Sequence, residues 1–189
     1  MSEERFQYPA VRPESKSEVT TWPIRVAICM ANEDHTDMTA EFVQVVCPNW
    51  RVRSYKYIRH LIEDFDDWEP HAVVTHWHGY VEDVRIGSEL VSPNEAPFRF
   101  AKHIRLVRGE NVRTRPVFVA DYHPQTFEGP NAEAMWSAWR ERMPQAFDAL
   151  LCMPWDPNEI ISYITRLVFM KLDVEGEPRE QSREPSRDM

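Results

Sequence analysis

The stretch HAVVTHWHGY, residues 71–80, decides how the chain is read. Small and β-branched apolar residues run without a polar break into Thr75 and His76, and His78 follows two places on. A short continuous apolar run of this kind is the pattern of a strand buried on both faces, as in a parallel sheet. A histidine just past such a strand stands where α/β proteins place working side chains, outside the carboxyl ends of the strands.

Outward from this run, strand and helix patterns alternate. The runs 24–31, 50–56, 71–77, 115–121 and 147–153 read as strands. Between and after them lie helical patterns at 35–46, 58–68, 98–110, 131–143 and 156–171. The first helix is given Thr36 as N-cap and an inward stripe of Met38, Phe42, Val45 and Val46. The second presents Ile58, Leu61, Ile62 and Phe65, and the third Phe100, Ile104 and Val107. The fourth presents Met135, Trp136, Trp139 and Met143. The last opens on an Asp156 cap with Pro157 at the first helical position and carries Ile160, Ile161, Ile164, Leu167 and Val168. Residues 79–96 form a long connection, and no Asn-Gly or Asp-Gly turn joins paired strands. Five strand–helix units imply parallel strands with right-handed crossovers. The expected fold is therefore α/β, a doubly wound five-stranded parallel sheet in the flavodoxin-like order 2-1-3-4-5, with helices on both faces.

The 189 residues fit one domain, expected over 22–172, between an N-terminal arm at 1–21 and a charged tail at 173–189. Composition is that of a soluble globular chain, and no stretch approaches the roughly 20 apolar residues of a membrane helix. Nothing at the start has the apolar core of a secretory signal, so the expected location is cytoplasmic. Cys29, Cys47 and Cys152 have no CxxC spacing and read as buried free thiols. A net charge of −9 argues against nonspecific nucleic-acid binding, which needs Lys and Arg on phosphates. One basic stretch, 99–115, reads as a solvated helix face, or as a docking surface for an acidic partner. No Gly-rich phosphate loop is present.

Four stretches resemble the receiver domain of two-component response regulators: IRVAICMANED from 24, EPHAVVTHW from 69, RPVFVAD from 115 and FDALLCMPWDPNEIISYI from 147. The likeness covers about residues 24–170 and is strongest at Pro154, Trp155, Asp156 and Pro157, where the family has a cis proline, an aromatic and a helix cap. It also implies site positions. The acidic pair that holds Mg²⁺ falls on Met30 and Ala31, the phosphoacceptor on His76, the hydroxyl on Asp121 and the lysine on Met153, followed by Pro154. Thioether and methyl groups are no ligands for a hard cation, so the sequence argues against Mg²⁺ as a cofactor.

The expectation that follows is a stand-alone pseudo-receiver: a non-enzymatic signalling protein that binds a protein partner, or itself as a homodimer, without aspartyl phosphorylation. One alternative is a zinc-type sensor or hydrolase. Its ligands would come from a crevice gathering Glu33, Asp34, His35, His76, His78, Asp121 and His123. Beside it stands a plainer role for His76, which fills the vacated pocket and hydrogen-bonds to Asp121. A further alternative is an atypical regulator whose phosphorylation uses Glu33 and Asp34. The spacing of THWHGYVED does not fit the His-x-His-x-Asp-His motif of metallo-β-lactamase-type hydrolases.

Overall fold

The computed structural model describes residues 23–77, 80–108 and 116–173; the expected arm, and the expected tail beyond Asp173, lie outside the described residues. In chain order it holds β1 (Arg25–Cys29), α1 (Glu33–Val46), β2 (Arg51–Ser54), α2 (Ile58–Trp68), β3 (Ala72–His76), β4 (Val84–Ile86), β5 (Glu89–Val91), α3 (Ala96–Arg108), β6 (Val117–Tyr122), α4 (Ala132–Arg142), β7 (Ala149–Cys152) and α5 (Pro157–Asp173). Five strands form one parallel sheet in the order β2-β1-β3-β6-β7. With β4 and β5 set aside, this is the expected 2-1-3-4-5 order.

The central strands are apolar on both faces because helices cover both. Val26, Ile28, Met30, Val74, Val119 and Leu151 pack with Val43 of α1 and with Ile160, Ile164 and Val168 of α5. The alternate residues Ala27, Cys29, Val73, Phe118 and Ala120 pack with Leu61 and Phe65 of α2, Phe100 and Ile104 of α3, and Trp139 of α4. Period-two alternation thus feeds two cores rather than a core and a solvent face. Strand β2 stands at one edge of the sheet. On β2, the Gln44 amide of α1 reaches over the free edge, accepting the Val52 N–H and donating to the Trp50 carbonyl oxygen at 3.0 Å.

Five sequence expectations are corrected. Residues 84–91 form an antiparallel hairpin, β4 with β5, inside what the sequence gives as an unpaired connection. Its turn is Gly87–Ser88, with Gly87 at φ 60, a conformation open to glycine at no steric cost. Strands of three residues are too short to show a period. The N-cap of α1 is Asn32, whose side chain accepts from Asp34 N and His35 N, not Thr36. Thr36 is buried inside the helix and accepts the Met30 N–H at 3.0 Å.

Of the expected apolar stripe of α1, only Phe42 packs against the core. Met38 and Val45 are 67% and 72% exposed and Val46 is exposed too, whereas Thr36, Thr39 and Val43 are buried. Small side chains on the inner face let the helix lie close to the sheet, and the hydroxyls find partners, Thr39 donating to the Met30 sulfur at 3.6 Å. Val107 and Met135 likewise face out, while Trp139 and Met143 are buried as expected. Last, only Cys29 is a buried thiol; Cys47 is half-buried and Cys152 exposed. Burial pushes the Cys29 thiol up to about 12, so it stays protonated and inert.

The basic stretch is partly tied down: Arg105 pairs with Asp148 and Arg108 with Asp66. Its residues 109–115 lie outside the described residues.

Phe65 meets Phe100 edge-on at 5.0 Å and stands over Phe118. Phe65→Ala should lower unfolding free energy by about 3–5 kcal/mol in urea titration, whereas Met38→Ala should change it by no more than about 0.5 kcal/mol. At the foot of β1 and β3, His71 Nδ1 accepts the Arg25 N–H at 2.9 Å, which requires a neutral ring. Burial, helped by the Arg25 charge and opposed by Glu69, lowers its pKa from the ordinary 6.5. The fold therefore binds fewer protons here than the unfolded chain does. The resulting stability is full above about pH 6.5 and fades as pH falls through the lowered folded value. Melting temperatures between about pH 5 and 7 should slope less in His71→Asn, which keeps an acceptor but does not titrate.

Candidate functional site

The carboxyl ends of β1, β3 and β6 lie side by side. Cys29 is level with Thr75, and His76 is level with Asp121. This register brings His76 and Asp121 into direct contact, His76 Nδ1–H donating to Asp121 Oδ1. The second carboxylate oxygen accepts from Trp155 Nε1 at 3.0 Å. Trp155 is delivered by the turn after β7, where Met153–Pro154 is a cis peptide bond and Asp156 caps α5 by accepting from Asn158 N at 2.8 Å. Asp121 is completely buried at its side chain and His76 is 12% exposed. A carboxylate so far from water needs donors on its oxygens, and both are supplied.

Other named residues sit around this pair without joining it. Met30 is buried and turned into α1, its backbone N–H on Thr36. Met153 follows β7 and donates its N–H to the Tyr122 carbonyl oxygen, so it stands at the same edge of the sheet. Ala31 is exposed and lines a small cavity of about 50 Å³ with Lys56, Tyr57, Ile58, Tyr80, Val81 and Glu82. Glu33 and Asp34 occupy the first turn of α1, where the helix dipole favours acids. Glu33 is held by Lys56 at 2.6 Å. His123 is exposed, its Nδ1 accepting from Gln125 N at 3.2 Å. The His35 ring lies edge-on to that of His76, with centres 6.2 Å apart. His78 lies outside the described residues. Among the described residues, no three His, Cys, Asp or Glu side chains are placed to hold one metal ion.

Two participants were not read from the sequence as site residues. Trp155 entered only as a matching aromatic, and a lone tryptophan gives no sign of where its N–H points. Tyr80 is buried, its hydroxyl meeting Thr75 Oγ1 and donating to the Cys29 carbonyl oxygen. Burial drives its phenol well above the ordinary range, so it is a permanent donor tying the segment after β3 to the top of β1. Beside it Trp77 stacks on Phe127 and meets Trp139 edge-on, in an aromatic cluster completed by Tyr122 and Trp136.

Sheet order, two helical layers and a site at the carboxyl edge define a doubly wound α/β protein of the flavodoxin-like class. More narrowly, the fold is that of response-regulator receiver domains. NtrX from Brucella abortus aligns with a TM-score of 0.53 at 13% identity, over 81% of this chain and 28% of that one. A CheY-like response regulator receiver domain protein from Methanospirillum hungatei gives 0.50 at 10% identity, over 81% and 99%. FixJ-N gives 0.50 at 13%, over 78% and 95%. No protein-family model matches the chain, and no curated protein matches its sequence. Among the described residues, no helix is long and apolar enough to cross a membrane.

Asp121→Ala would leave the ring N–H groups of His76 and Trp155 without their acceptor, and chemical denaturation should record a loss of about 1–3 kcal/mol for each stranded donor. Trp155→Phe removes a single charge-assisted bond and should cost about 1.5–3 kcal/mol in the same measurement.

Proposed function

We propose that this chain is a receiver-type signalling module that acts by binding a protein and is not switched by aspartyl phosphorylation. The observation that carries this reading is the His76–Asp121–Trp155 contact. The resemblance gives position 76 to the phosphoacceptor, and there an imidazole is already engaged by a buried carboxylate. Three physical points support it. A phosphoryl group arriving here would meet the like charge of Asp121 rather than a hydroxyl. Met30 and Ala31 bring no oxygen for Mg²⁺, which requires hard ligands in near-octahedral array. At position 153 a thioether replaces the cation that would meet phosphoryl oxygens.

Displaced acids are a poor substitute. Glu33 pairs with Lys56 at the surface, and Asp34 is exposed at the helix start. Binding is then the function left to the fold, with a protein as partner or a second copy as a homodimer. Intact-mass measurement after incubation with acetyl phosphate and Mg²⁺ should show no added phosphoryl group. A gain of one group that disappears in Glu33→Gln or Asp34→Asn would replace this reading with an atypical phosphorylated regulator.

A further inference from the structure

We propose that His76 and His35 together form a binding site for a divalent transition metal of the zinc class, with Asp121 as the carboxylate that orients His76. Metal binding here does not depend on whether the chain is phosphorylated. Nδ1 of His76 faces Asp121 Oδ1, and a carboxylate only accepts, so a neutral ring carries its proton on Nδ1 and has Nε2 as its lone-pair nitrogen. Nε2 has no hydrogen-bond partner among the described residues, and the ring is reached by solvent through its 12% exposed side chain. A histidine whose far nitrogen is held by a carboxylate is the arrangement that orients metal-binding imidazoles and raises their basicity.

The second ligand comes from α1. Asn32 caps the helix and accepts the His35 N–H at 3.3 Å, setting His35 in the first turn. That turn follows β1, the strand next to β3, so the ring arrives beside His76 with centres 6.2 Å apart and planes at 61°. With nitrogens about 2.0–2.1 Å from an ion, two imidazoles sharing it have ring centres about 5–6 Å apart. The observed 6.2 Å stands just outside that range, and His35 is exposed.

The structure also narrows the wider ligand set. Asp121 has both oxygens engaged, by His76 and Trp155, and so acts from the outer shell. Glu33 is taken by Lys56, and His123 Nδ1 by the Gln125 N–H. The site is therefore two imidazoles completed by water. That donor set suits Zn²⁺, Co²⁺, Ni²⁺ or Cu²⁺ and not Mg²⁺ or Ca²⁺.

The test is calorimetric titration of the metal-stripped full chain with Zn²⁺, with Co²⁺ absorption as a second readout. One saturable site per chain is expected, with no response to Mg²⁺. His35→Ala and His76→Ala should each weaken it at least tenfold, and Asp121→Asn about 10–100-fold. His60→Ala, at an exposed histidine of α2, should leave it unchanged. His35 is exposed, so His35→Ala remains informative even if substitutions at the buried pair fail to fold. In the NMR spectrum of the histidine rings, the Nε2 resonance of His76 should move on zinc addition. Absence of saturable binding, or binding that survives His35→Ala and His76→Ala, would overturn the proposal.

Discussion

A fully buried carboxylate must be given donors, and Asp121 obtains them from two separate parts of the chain. His76 comes from the end of β3 and Trp155 from the turn between β7 and α5. The contact exists only because β3 and β6 are neighbours in register and because β7, on the far side of β6, places its following turn over the same point. Strand order, the Met153–Pro154 turn and the placement of α5 therefore converge on one side chain. In the low dielectric of that interior each bond to the carboxylate is stronger than it would be in water.

Around this point the molecule separates duties between its two cores. The layer of α2, α3 and α4 is filled by large rings, with Phe65, Phe100 and Phe118 under α2 and α3, and the tryptophans and Tyr122 under α4. The layer of α1 and α5 is filled by aliphatic groups and by the small inner face of α1. The aromatic side reaches the carboxyl edge through Trp77, whose backbone N–H donates to the Asp121 carbonyl oxygen. The aliphatic side reaches it through Met30 and its bonds to Thr36 and Thr39. The pair at the sheet edge is thus clamped from both faces.

The fold was legible because its buried strands are unbroken apolar runs and its last turn, Pro154 to Pro157, is chemically distinctive. The His76–Asp121 contact was legible as soon as strand order was assigned, since adjacency follows from topology. What escaped had physical causes. The hairpin at Val84–Val91 has too few residues to show alternation, and its turn is Gly-Ser rather than Asn-Gly. The facing of α1 was misjudged at Met38, Val45 and Val46 because hydrophobicity alone ranks them above Thr36 and Thr39, which are buried with bonding partners nearby. Trp155 and Tyr80 act through the direction of an N–H or O–H, which no spacing rule encodes.

The Gln44 amide on the border of β2 bears on how the molecule behaves in a crowd. An open strand border offers a free row of amide and carbonyl groups to any extended chain that drifts past, the first step in sheet growth between molecules. Gln44 occupies two of those groups with a side chain anchored on a helix. An extended chain approaching this border meets two groups already engaged, a hindrance to pairing that a thermal melt of dilute protein would not register.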